Sequence, residues 1–368
     1  MDQRKDRELK GGNRFMKLKF LDLQNCYRLI PPIGGLPLFV RLDESLQGIN
    51  DQVGILCGAI DALVRQNQNS TKLVGSVRLK ASPLEIAQGV NVEDRTIHTQ
   101  AVTRPFPGPA QLHIVLGYQN GMMHKKIVPL QYLLKGWGDA TSGHQCYIHT
   151  ISENVPQGRS VKDLVAFNLR NSGNYYYVGI TGRNWLLRLD EHISEMRKGN
   201  PRPFYRAWRE RYGQGGMLFT SALREVNLTF QNAMDWEEAA VDKIAGDEYG
   251  LNMIPGGFKG LRHLHEYRII ENTVISLEER DVTIAEYCRQ NPRKGFPNLI
   301  LAALWKDDEF YLRVIAAREK TLSPDQVRLI RQLDRQGKSL SEITNETGAL
   351  NEQQVRNVIS GRTYKRVH

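Results

Sequence analysis

The stretch from Gln145 to Met196 constrains this chain more than any other. Gln145-Cys146-Tyr147-Ile148-His149-Thr150-Ile151 alternates, which places Tyr147 and His149 on one face of a strand. Tyr175-Tyr176-Tyr177-Val178-Gly179-Ile180 is a second strand, with Tyr175, Tyr177 and Gly179 on one face before a turn at Thr181-Gly182. A helix then follows, and Asn184 stands where its N-cap belongs. Its apolar stripe is Trp185, Leu189, Ile193 and Met196, while Arg188, His192 and Glu195 fall on another face. Two strands and a packed helix predict an α+β unit.

Around this core the chain reads as a multidomain α+β protein. Residues 1–14 are polar and read as a mobile arm. Residues 15–138 predict an accessory α+β domain. It has a buried helix at Gly54 to Val64, strands at Leu73 to Leu79 and Leu112 to Leu116, and a rigid connector at Arg104 to Pro109. Lys135 to Gly143, rich in small residues and turn formers, reads as a linker into a central domain of residues 139–260, a small antiparallel sheet flanked by helices. Residues 261–320 read as a helical connector or a second DNA-binding unit, since Thr283-Ile284-Ala285-Glu286-Tyr287 echoes Ser339-Leu340-Ser341-Glu342-Ile343. Residues 321–368 have the pattern of a helix-turn-helix.

Composition narrows the function classes. Lys+Arg number 50 against 40 Asp+Glu, a formal charge of +10 that favours a polyanionic partner. The four cysteines are far apart, with no CxxC pair and no zinc spacing, which argues against a disulfide scaffold or zinc finger. The charged N-terminus and the lack of a long apolar run predict a soluble, intracellular, cytoplasmic protein with no membrane partner.

At this level of detail the chain resembles the GIY-YIG nucleases. Tyr177-Val178-Gly179, then Arg188, then His192, is similar to the second half of that family's signature. Glu237, with Asn252 fifteen residues later and Pro255-Gly256-Gly257 beyond, is similar to its closing motifs. The first triplet is Gln145-Cys146-Tyr147, and thirty residues separate Tyr147 from Tyr177, so Ser152 to Asn174 reads as an insertion at the hairpin tip. The resemblance implies a site-specific DNA endonuclease of restriction or homing type, and a one-metal mechanism for phosphodiester hydrolysis. Glu237 would hold one Mg²⁺ (or Mn²⁺) with most of its waters kept, and no small-molecule cofactor is implied. Arg188 offers a fork of donors for phosphate oxygens. Tyr147 would be the general base and Tyr177 would position water or phosphate. His192 would orient Tyr147 or relay its proton, and Asn252 would orient the phosphate or the metal's waters. Asp235 and Glu238 fit a capping box, with Glu237 opening a helix.

The partner predicted is double-stranded DNA. Lys198 to Tyr212 interleaves basic and aromatic residues, giving Arg202, Arg206 and Arg209 as phosphate contacts. In the helix-turn-helix, Gln353, Gln354, Arg356 and Asn357 are base-reading candidates, and Arg362, Lys365 and Arg366 are backbone contacts. One site per chain cuts one strand, so double-strand cleavage implies a homodimer, a homotetramer or successive nicks. The rival readings are a non-catalytic DNA-binding regulator with a degenerate nuclease domain, and a structure-directed repair nuclease.

Overall fold

A computed structural model describes residues 18–30, 35–66, 82–91, 97–117, 123–152, 174–214, 216–245, 249–292, 295–316 and 320–367. The expected arm at 1–14, the expected strand at Leu73 to Leu79 and most of the hairpin insertion lie outside the described residues. The fold is mixed α+β and divides into two compact units, one ending at Phe296 and the other starting at Pro297.

The first unit is organised by a seven-stranded sheet. Its strands are β1 (Ser82–Asn91), β2 (Ile97–Gly108), β3 (Gln111–Gly117), β4 (Met123–Pro129), β5 (His144–Ser152), β6 (Tyr175–Thr181) and β7 (Leu218–Leu228). They lie in the order β2-β1-β3-β4-β7-β5-β6. The β1–β3 and β4–β7 pairs are parallel and the others antiparallel. Leu112 to Leu116 forms β3 as its branched residues predict. Arg104 to Pro109, expected as a connector, instead continues β2 up to Gly108. Pro105 and Pro107 are tolerated there because β2 is an edge strand and the register to β1 breaks between Thr103 and Gly108.

The expected boundary at residues 138/139 falls inside this unit. β4, from before it, pairs with β7, from after it. The segment expected as a linker is packed: Trp137 and Ala140 are buried, Lys135 N–H donates to Phe20 O, and Ala140 N–H donates to Asn25 Oδ1. The preceding helices are α1 (Leu23–Leu29), α2 (Gly35–Gln47) and α3 (Asn50–Gln66). In α3 Val53, Leu56 and Ile60 face the core while Ile55 is exposed, so the segment expected as a buried helix is amphipathic. Asp43 on α2 accepts the backbone N–H groups of Lys19, Phe20 and Leu21, which ties the N-terminal segment down.

Among the described residues, five further helices belong to the unit: α4 (Trp185–Arg197), α5 (Pro203–Gln214), α6 (Phe230–Asp242), α7 (Gly257–Glu266) and α8 (Leu277–Gln290). Asn184 caps α4 through Leu186 N–H, as expected. Thr229, not Asp235, caps α6, so the capping box expected at Asp235 and Glu238 is absent and Glu237 sits in mid-helix.

The second unit holds α9 (Leu299–Leu304), α10 (Asp308–Ala316), α11 (Pro324–Arg335), α12 (Leu340–Thr347) and α13 (Glu352–Ile359). Capping boxes at Ser323/Gln326 and Ser339/Glu342 start α11 and α12, and Gly348, with φ +67°, stops α12. Leu322, Val327, Ile330, Leu333, Ile343, Val355, Val358 and Val367 form its core. The span 261–320 is therefore no separate region: α7 and α8 belong to the first unit, α9 and α10 to the second. No helix among the described residues is long and apolar enough to cross a membrane.

Candidate active site

β5 and β6 pair antiparallel with Tyr147 opposite Gly179 and His149 opposite Tyr177. This register lays the Tyr147 ring across Gly179. A Cβ at Gly179 would stand 2.5 Å from the Tyr147 hydroxyl oxygen, so only glycine permits the approach. The buried Tyr147 hydroxyl lies 3.2 Å from Nε2 of His192 on α4, and His192 Nδ1 lies 3.1 Å from the hydroxyl of Tyr205 on α5. Two phenols and an imidazole thus form one buried hydrogen-bonded chain.

Burial makes this chain hard to charge. It pushes the Tyr147 phenol well above its ordinary range; nearby Tyr177 adds to this, and the Arg188 charge opposes it. The same desolvation, with His149 and Arg188 nearby, pushes His192 well below its ordinary value, so its imidazole is neutral and one ring nitrogen is an acceptor. His149 is packed against this group, its ring nearly parallel to those of Tyr177 and Phe204, at interplanar angles of 9° and 10°, beside the Tyr177–Phe204 stack. Burial first, then Arg188, lowers its pKa to about 3.

Glu237 is buried on the side of α6 that faces α7. The turn Pro255-Gly256-Gly257 brings α7 so close that a Cβ on Gly257, which has φ +55°, would meet Met234 O at 2.1 Å. In this position the Gly257 N–H donates to Glu237 Oε2 at 3.0 Å and fixes the carboxylate. Asn252 acts on the sheet edge. Its Oδ1 accepts from Val178 N–H and its Nδ2 donates to Val178 O, both at 2.9 Å, so the amide pairs with β6 as a peptide group would. The backbone of Tyr249 and Leu251 continues that pairing to Tyr176.

These residues meet at one cavity of about 580 Å³ in the first unit, lined by Tyr147, Tyr177, Arg188, Glu237 and Asn252 among others. His192 lies behind it, bonded to Tyr147. The residues that sequence reasoning missed are Tyr205, Arg280 and Asp281. Arg280 Nη1 lies 3.1 Å from Glu237 Oε2, with both side chains nearly buried. Arg188 is bonded at 2.7 Å to Glu191 and at 2.8 Å to Asp281, so charges of alternating sign run along the wall. α8, whose Thr283 to Tyr287 suggested a second DNA-binding unit, instead lines this cavity with Arg280, Asp281, Ile284, Ala285 and Cys288. No periodicity within α8 marks that role; only the tertiary pairing reveals it.

Among the described residues no group of three or more His, Cys, Asp and Glu could hold a metal ion. The acidic side chains lining the cavity are Glu191, Glu195, Glu237 and Asp281, each paired with a basic side chain, and Glu237 is the one a backbone N–H also fixes. That fits a hard divalent cation that retains most of its waters and does not fit zinc, which takes several nitrogen or sulfur ligands.

The expected DNA contacts divide sharply. Phe204, Tyr205 and Trp208 are buried in the first unit's core, so they are not stacking platforms for bases. Arg202 lines the cavity, bonded to Cys288 Sγ and placed over the Phe296 ring. Arg209 donates to Met196 O at the end of α4, and Arg206 is exposed beside Glu210. In the second unit Gln353 and Arg356 are exposed on α13, and Gln353 donates to Asn357 Oδ1. Gln354 is committed to structure: it accepts Leu350 N–H and donates to Lys320 O. Arg362 and Lys365 are exposed, whereas Arg366 is occupied by Trp305 O, Lys306 O, Asp308 and the Tyr311 ring. Gln354 and Arg366 are thus engaged in hydrogen bonds within the second unit.

Comparison of the chain with protein families, curated proteins and solved structures finds no match.

Proposed function

We propose that this protein is a site-specific, metal-dependent DNA endonuclease whose first unit hydrolyses the phosphodiester bond and whose C-terminal unit reads the DNA. The reading rests on one observation. Tyr147, Tyr177, Arg188, Glu237 and Asn252, spread over more than a hundred residues, converge on one cavity, with His192 hydrogen-bonded to Tyr147.

The arrangement is suited to in-line attack by water on a phosphate. Arg188 binds non-bridging oxygens and offsets the charge that grows on them. Tyr147 takes a proton from the attacking water in its phenolate form, which the Arg188 guanidinium and a hydrogen bond from His192 Nε2, 3.2 Å away, favour against the burial that opposes it. Tyr205, on the far ring nitrogen, keeps that imidazole oriented. Tyr177 positions water or phosphate. Asn252 holds the β6 edge and therefore Tyr177, in place of the direct phosphate contact expected from sequence. A divalent ion at Glu237, when bound, would supply charge neutralisation at the leaving oxygen.

In the second unit, α13 presents Gln353, Arg356 and Asn357 for the major groove, with Arg362 and Lys365 for phosphates. Cleavage of a plasmid library with and without Mg²⁺, using wild type and Glu237→Ala, tests the reading. Discrete Mg²⁺-dependent fragments that vanish in Glu237→Ala support it. A wild type that binds DNA and never cuts it overturns it. That outcome favours the regulator, a reading consistent with the internal pairing of Glu237 to Arg280 and Arg188 to Asp281. Cleavage confined to branched substrates instead indicates a structure-directed nuclease.

A further inference from the structure

Arg280 and Asp281 are consecutive residues of opposite charge on α8, and both point into the cavity. The cation meets the carboxylate of Glu237 and the anion meets the guanidinium of Arg188. Under the proposed reading, Glu237 binds a cation and Arg188 a phosphate. Each is paired within the chain with a side chain whose charge has the sign of that ligand. A low-dielectric pocket explains why. A buried carboxylate or guanidinium left unpaired costs far more than a paired one. Glu237 and Arg280 are only 7% and 14% exposed, so neither can rely on water.

We propose that Arg280 and Asp281 are internal stand-ins for the site's two ligands, and that loading exchanges both partners: the divalent cation displaces Arg280 from Glu237, and phosphate displaces Asp281 from Arg188. The released pair has a destination. Arg280 Nε already lies 3.9 Å from Asp281 Oδ1, so the two displaced charges neutralise each other on the same helix. Arg280 released by the cation draws Asp281 away from Arg188, and the converse holds, so either ligand makes the other easier to bind. The site then favours full loading over half loading. This inference rests on the nuclease reading of the cavity.

The test is binding, measured on the full-length protein. Mn²⁺ affinity, read from the electron paramagnetic resonance signal of free Mn²⁺, is compared for wild type, Arg280→Met, Arg280→Lys and Glu237→Gln. Inorganic phosphate affinity, read from phosphate-dependent melting temperature in EDTA, is compared for wild type and Asp281→Asn. Removing the internal competitor tightens Mn²⁺ binding about tenfold in Arg280→Met. Arg280→Lys, which keeps the charge and the fold with a shorter reach, falls between. Asp281→Asn tightens phosphate binding several-fold. Equal Mn²⁺ affinity in wild type and both Arg280 variants, with binding abolished in Glu237→Gln, overturns the exchange and leaves the nuclease reading standing. Identical titrations of wild type and Glu237→Gln overturn both, because Glu237 is then no metal ligand.

Discussion

Tyr147 can approach His192 only because its strand neighbour is Gly179. A methyl group there would press on the phenol at 2.5 Å, against β6 backbone that the sheet holds in place. Gly179→Ala is therefore expected to cost about 1–3 kcal/mol of stability through overpacking. It is also expected to lower cleavage by about 100-fold through displacement of the Tyr147 hydroxyl, an effect of general-base size. Chemical denaturation and single-turnover cleavage read the two effects separately; full activity in a destabilised variant would sink the role given to Tyr147. Tyr205→Phe is a milder change, losing one hydrogen bond to His192 while keeping the ring. About a tenfold fall in kcat with KM unchanged is expected, together with a shifted pH–rate profile. A uniform loss at every pH would mark Tyr205 as mere packing. Much of this residue-scale picture was legible from spacing. Strand alternation aligned Tyr147 with His149 and Tyr177 with Gly179, and helical spacing aligned Arg188 with His192. Tyr205 was not, because its ring falls in a basic-aromatic run whose pattern equally suits a core face.

Between helices, the turn that delivers α7 to α6 makes a close contact. Gly257 combines φ +55° with a carbonyl neighbour where a side chain would begin, and its N–H orients Glu237. Gly257→Ala is expected to destabilise the first unit by about 3 kcal/mol, from left-handed strain and overpacking together, and to abolish Mg²⁺-dependent cleavage. In the second unit, two arginine-or-lysine positions one residue apart should behave differently. Lys365 is exposed, so Lys365→Ala should weaken binding to all DNA sequences and reduce the salt slope by about 1. Arg366 holds the C-terminal segment to α9 and α10, so Arg366→Ala should lower the melting temperature and leave the salt slope unchanged. The three-helix pattern of α11 to α13 was legible because each start carries its own cap and each buried position recurs at helical spacing. The start of α6 was not: Asp235 and Glu238 imitate a capping box, but Thr229 and the buried Ala233 and Met234 extend the helix back by a turn and a half. Nor was α8, since the pairings of Arg280 with Glu237 and Asp281 with Arg188 join residues far apart in sequence through tertiary structure alone.

At the scale of the whole first unit, three histidines are kept neutral by burial, and this couples its folding to pH. His124 is lowered to about 4 by burial, Lys126 and Arg197; His149 is lowered to about 3; His192 is well below its ordinary value. Each has an unfolded value near 6.5. Between that value and the folded one, the unfolded chain binds the extra proton, so stability is complete above about pH 7 and falls as the pH drops. At pH 5 each such histidine withdraws about 2 kcal/mol relative to neutral pH. Thermal melts at pH 7.5, 6 and 5 should show a steep loss on acidification. His149 offers the cleanest dissection. Among the described residues neither of its ring nitrogens has a hydrogen-bond partner, and its ring lies nearly parallel to those of Phe204 and Tyr177. His149→Phe keeps the stack and removes only the titration, so it should match wild type at pH 7.5 and exceed it at pH 5. A variant whose melting temperature follows the wild-type pH curve throughout would show that His149 is protonated in the folded protein, and that the aromatic cluster beneath the cavity admits charge. In that event His192, packed edge-on against the same ring and bonded to Tyr147, would also be open to protonation at pH 5, and acidification would disturb the hydrogen bond that orients the phenol.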